Sequence, residues 1–269
     1  MLLLLALCAT SIQATTLGNA LNFGAIGING NVTLAKDASL GSGAVGAHGI
    51  ALGADASVSG DLVANPQGIK LAAFSVAEDC VTAGAAVHLA SGASCTNVDI
   101  SGTGPELGVL SSALTDITTF LSAVAALAPD QMLPAVKVPT NGAATITDTN
   151  AGGLNVISVP SISVGHSGVL RVMGGISDTA VLVVTGNLSL KSDSILSPTF
   201  SDAQLVIVVN GHVVSAAKDS VLNGTVVAPN AKCTLGPDEA SRGAFFCGQG
   251  VTLAKDASLA TTPSTVNVP

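Results

Sequence analysis

The side chains able to do acid–base or metal chemistry are few and scattered. The histidines are His48, His88, His166 and His212, the glutamates Glu78, Glu106 and Glu239, and the arginines Arg171 and Arg242. Cutting a polysaccharide on an elongated β-scaffold needs two carboxylates across the scissile bond, or an Asp with an Arg. Sugar clefts also favour aromatic platforms, and this chain has six Phe, no Trp and no Tyr. No GxSxG, HExxH or phosphate-binding loop occurs. Asp37, Asp55, Asp193, Asp219 and Asp256 recur, but in turn-like contexts, where Asp bonds its own backbone. The calcium nonapeptide of β-helices is absent. The expectation is no catalytic residue, no metal site and no cofactor.

Five cysteines are present. Cys8 falls in an apolar leader, which leaves Cys80, Cys95, Cys233 and Cys247. An even count in a secreted chain points to two disulfides. Of three possible pairings, Cys80 with Cys95 and Cys233 with Cys247 close short local loops, each worth about 3 kcal/mol. Zinc is disfavoured, because no CxxC or HxxxH spacing exists. The leader, residues 1–14, reads as a signal peptide whose apolar run is too short to span a bilayer. That places the protein outside the cell or on its surface. Three sequons, at Asn31, Asn187 and Asn223, matter only in a glycosylating host.

Charged residues are 10% of the chain, hydrophobic residues 48%, and the net charge is −8. Disorder needs the opposite balance. Nucleic-acid binding needs clustered Lys and Arg, which nine scattered basic residues do not supply.

A repeat organises the rest. The string from Val32 to Leu40 returns unchanged from Val251 to Leu259, and looser copies start at 50, 87, 162, 188 and 214. Each reads apolar, any, apolar, three turn residues, small, any, apolar. Alternate residues of a strand face opposite sides, so the flanking apolar residues point inward and the middle one outward. One unit buries too little to be stable, whereas stacked copies share a core. The chain is therefore read as an all-β-dominated β-solenoid, a single domain over 17–262, with 263–269 as a C-terminal tail.

Between the copies at 87 and 162 lies a helix, expected at about 105–128. Pro105 and Glu106 suit its first turn and Pro129 its end. Leu107, Leu110, Leu114, Ile117, Leu121 and Val124 form an apolar stripe. Its polar face has no Lys or Arg, which argues for packing along the solenoid rather than on a membrane.

The outward positions fall into two columns. Thr33, Ala51, His88, Ser163, Ser189, Ser215 and Thr252 are mainly small or hydroxylic and form the expected surface-binding column. Val169, Ile195 and Val221 are apolar and outward, so the helix is expected to cover them.

Leu17 to Phe23 resembles the start of the secreted ice-binding-like β-solenoid family. Ala203 to Asn210, Asn223 to Ala231 and Gly243 to Leu253 resemble that family's closing coils. The same segments, Ala228 to Ala231 above all, resemble bacterial choice-of-anchor A surface domains. Both resemblances imply an irregular right-handed parallel β-helix with one long α-helix alongside. The first expectation is a non-catalytic extracellular module with a structural or adhesive role. Ice binding is the alternative, and a polysaccharide-acting β-helix enzyme comes third. The expected partner is an ordered surface, either ice or a cell-surface polymer, or a second copy through self-association. No nucleic acid and no membrane span are expected.

Overall fold

The computed structural model describes residues 15–41, 43–147, 149 and 152–269. The expected leader lies outside the described residues. Each repeat forms one coil. In the coil starting at Val32, Val32 and Leu34 are buried, Thr33 is half-buried, and Ala38 and Leu40 line the core. The sixth position of every coil is left-handed. It holds Asp37, Asp55, Asp193, Asp219, Asp238, Asp256, Asn141, Ser167, Phe74 or Gly92, with φ between 52° and 74°. Gly, Asn and Asp tolerate that region, and Asp is the residue chosen in six coils.

Numbered from one end, coils 1 to 10 contribute ten strands to one parallel sheet. They are Val87–Leu89, Ile69–Leu71, Ile50–Leu52, Val32–Leu34, Val251–Leu253, Lys232–Leu235, Val213–Ala216, Leu188–Leu190, Ile162–Val164 and Val136–Val138. A 15-stranded sheet and a four-stranded sheet supply the other walls. The chain enters at coil 4, climbs to coil 1, passes through helix α1 (Pro105–Ala126) to coil 10, and climbs back to coil 5. The two identical nonapeptides thus meet in space. Val32 pairs with Val251, Thr33 with Thr252, Leu34 with Leu253, Ser39 with Ser258 and Leu40 with Leu259. Thr15 bridges Val268, and Val266 and Val268 are buried, so the C-terminal tail packs back onto the domain.

α1 ends three residues before Pro129, since the residue ahead of a proline disfavours helix. It is long and apolar enough to cross a membrane by composition, yet its buried face, Leu110, Ala113, Ile117, Phe120 and Val124, packs on the solenoid. α1 does not dock on the expected column of Val169, Ile195 and Val221. α1 rests on Phe23, Ile26, Val63, Val206, Val208, Val227 and Phe246 of the 15-stranded sheet. Val169, Ile195 and Val221 do align in register, but on the four-stranded sheet, where they stay half-buried outside that contact. The covered wall contains strands apolar on both faces, such as Leu205–Val209, in which all five residues are buried. Two-sided burial gives continuous apolar runs rather than alternation.

The disulfides join Cys80 to Cys95, stapling coils 2 and 1, and Cys233 to Cys247, linking two walls within coil 6. Phe74 is the misfit of the turn column: a bulky residue at φ 60° and 63% exposed. Phe74→Asn is expected to raise the unfolding free energy by about 1 kcal/mol, because the left-handed region costs a side chain like Phe roughly 1–2 kcal/mol. Urea unfolding measures it, and a loss of stability would show that the phenyl ring does more than strain the turn.

Candidate functional site

The outward middle residues of the ten-stranded sheet form a single file. From coil 1 to coil 10 they are His88, Lys70, Ala51, Thr33, Thr252, Thr234, Ser215, Ser189, Ser163 and Lys137, each in register with the next. All seven residues read from the repeat stand in this file. Lys70, Thr234 and Lys137 were missed. Their triplets obey the pattern, but Ala72, Ala73 and Phe74 do not look like a turn, Cys233 opens its triplet with a disulfide residue, and Lys137 follows the helix closely.

Seven consecutive coils, from Ala51 to Ser163, present uncharged small side chains about 4.8 Å apart. The Thr33, Thr252, Thr234, Ser215 and Ser189 side chains are half-buried between their neighbours. Ser215 donates its hydroxyl proton to the Ser189 hydroxyl oxygen at 3.1 Å. In coils 3 to 7 the next column along the coils is Gly53, Ala35, Ala254, Gly236 and Ala217, equally small, and coil 8 places the exposed Lys191 there. A Cβ at Gly53 would lie 2.6 Å from the Ala35 carbonyl carbon, and one at Gly236 2.5 Å from that of Ala217. Close backbone stacking therefore keeps this flank low in coils 3 to 7. The opposite flank is tied by amides: Asn187 accepts from the backbone N–H groups of His212 and Val213, and Gln249 donates to the Asn230 carbonyl. Within the file itself the charges lie at the ends, in Lys70, His88 and Lys137, while Lys232 and Lys191 flank it in coils 6 and 8.

The other candidates do not converge on chemistry. The turn aspartates Asp55, Asp37, Asp256, Asp238, Asp219 and Asp193 run through consecutive coils. Lys36 pairs with Asp37 and Asp55, Lys218 with Asp219 and Asp238, Lys255 with Asp256, and His166 with Asp193. Among the described residues no group of three His, Cys, Asp or Glu could hold a metal ion. Asp61, Glu78 and Glu106 share a cleft of about 280 Å³ beside the start of α1. Burial and the neighbouring carboxylates hold the Asp61 carboxyl above its usual range. Glu239, by contrast, is fully buried, and desolvation pushes it up to about 8. Asn31 is exposed beside Thr33, whereas Asn187 and Asn223 have their side-chain oxygens engaged by backbone N–H groups.

No model of a known protein family matches the chain, and no curated protein matches it in sequence. Solved structures do. An ice-binding protein from the Antarctic ascomycete Antarctomyces psychrotrophicus superposes with a TM-score of 0.57 at 17% identity, covering 94% of this chain and 100% of that one. The chain has the fold of the ice-binding β-solenoids. A glycosylated ice-binding protein from an Arctic yeast gives 0.59 at 17% identity, over 94% and 97% of the two chains. An ice-binding protein domain from Shewanella frigidimarina gives 0.59 at 12% identity, over 93% and 98%. The resemblance to choice-of-anchor A domains receives no support from these structures.

Proposed function

We propose that the protein binds ice through the outward file from Ala51 to Ser163, acting outside the cell. The observation that carries this reading is the unbroken run of seven uncharged small side chains at one spacing, on a fold shared with ice-binding proteins. Each hydroxyl offers one donor and two acceptor sites to water. The parallel ladder fixes their spacing in advance, so little ordering entropy remains to oppose binding. Weak contacts then add along the file without a deep pocket. This reading displaces the structural or adhesive role favoured by the sequence. No catalytic step is needed, and the two disulfides suit an oxidising extracellular compartment. The purified protein is expected to show thermal hysteresis, inhibit ice recrystallisation and partition into a growing ice hemisphere. Absence of all three at high protein concentration would overturn the proposal.

A further inference from the structure

The two ends of the coil stack are guarded differently. In interior coils the first residue of the triplet donates its N–H toward coil 1, as Val32 does to Gly49, and the residue after the triplet donates toward coil 10, as Ala35 does to Leu253. At coil 10 that latter position is Pro139, so one of the amides that would point off the end, beside that of Lys137, does not exist. Lys137 stands in the same edge strand. Proline and lysine are devices that blunt sheet edges. Coil 1 has neither. Its edge strands, Val87–Leu89 and Ser94–Asp99, contain no Pro, Lys or Arg. Ile69 donates to the Ala86 carbonyl and Ala90 to that of Leu71, so by the same alternation the Val87 and Leu89 backbone groups face off the end.

Coil 1 also leaves the core open. Leu89 is 45% exposed, Val98 49% and Ile100 55%, and the core-facing Val87, Ala93 and Cys95 are only half-buried. The end is nearly uncharged: between residues 83 and 103 the titrating side chains are His88 and Asp99. Apposing two such ends does not concentrate the net negative charge of the chain.

We propose that coil 1 pairs with coil 1 of a second copy across a two-fold axis, the two Val87–Leu89 strands running antiparallel. Val87 then lies opposite the second copy's Leu89 and exchanges both backbone hydrogen bonds with it. The contact is isologous, so it closes as a dimer, and the blunted coil 10 ends stop growth. With the axis perpendicular to the ten-stranded sheet, the inner faces stay inside and each copy covers the other's open core. The outward files of the two copies then fall on one side of the dimer. One coil end is a small interface, so the dimer is weak and concentration-dependent.

Sedimentation velocity on the full protein over a wide concentration range tests this, with no reference to ice. Wild-type protein is expected to shift from monomer to dimer and no further. Val87→Pro removes the N–H that faces off the end together with a half-buried side chain, and Leu89→Lys places a charge there. With circular dichroism unchanged, each variant is expected to weaken dimerisation at least about tenfold, a loss of about 1.4 kcal/mol. A wild-type protein that stays monomeric at the highest concentration overturns the proposal. So does association that both variants leave intact, or open-ended polymerisation.

Discussion

Thr252→Arg is expected to abolish most of the ice activity while leaving the fold unchanged. Thr252 sits in coil 5, inside the run from Ala51 to Ser163, with Thr33 on one side and Thr234 on the other. A bulky cation there holds any flat lattice away from several hydroxyls at once, not from one. Losing even about 1.4 kcal/mol of summed contact lowers occupancy tenfold, and several contacts are lost together. The residue is outward and half-buried, so its replacement removes nothing from the core. The control lies in the same nonapeptide. Ser258 is likewise half-buried and in the same coil but belongs to the 15-stranded sheet, paired with Ser39 and Ala240. Ser258→Arg is expected to keep full thermal hysteresis. Equal loss in both variants would show that charge or stability, not position in the file, controls activity. Loss only at Ser258 would move the binding face to the other wall.

Much of this geometry is legible in the residues because one constraint repeats. Every coil must place two apolar side chains inward and one outward, so triplets such as Val32, Thr33 and Leu34 are enough to define the file. The exchange between sequence order and stacking order is not legible in the same way. Copies at 32 and 251 look like the two ends of an array, yet they are neighbours, because α1 carries the chain from one end of the stack to the other. The docking wall misleads for a related reason. Val169, Ile195 and Val221 are outward and apolar, but an isolated apolar column can remain half-exposed. The signature of a covered wall is the unbroken apolar run of Leu205 to Val209, with Phe245 and Phe246 beside it. Coil 6 keeps the triplet and the left-handed turn but departs from the repeat pattern after them, since Glu239 and Ser241 occupy positions that hold Ala257 and Leu259 in coil 5.

Those two residues carry the other large effect, a fall in stability with rising pH that Glu239→Gln removes. Coil 6 lies where the four-stranded sheet ends at Val221–Leu222. The Leu222 N–H there donates to the Ser241 hydroxyl oxygen at 2.9 Å, and the Ser241 hydroxyl donates to Glu239. The pair thus stands in for a ladder bond at the sheet break. The cost is a carboxyl in the core, its Oε2 buried without a hydrogen-bond partner. Burial raises its pKa from 4.5 to about 8. Between these values the folded chain keeps a proton that the unfolded chain has released. Folding is therefore favoured fully below about pH 4.5 and progressively less as pH rises to about 8. The slope is about 1.4 kcal/mol per pH unit, so the whole window is worth roughly 5 kcal/mol. Gln is neutral, nearly the same size, and can keep the contact with Ser241. The two proteins should match in urea unfolding at pH 4, and the variant should be the more stable by roughly 3 kcal/mol at pH 7. A wild-type minus variant difference that stays flat from pH 4 to pH 8 would mean that Glu239 is already ionised in the folded protein. Desolvation would then not be the force that sets its titration.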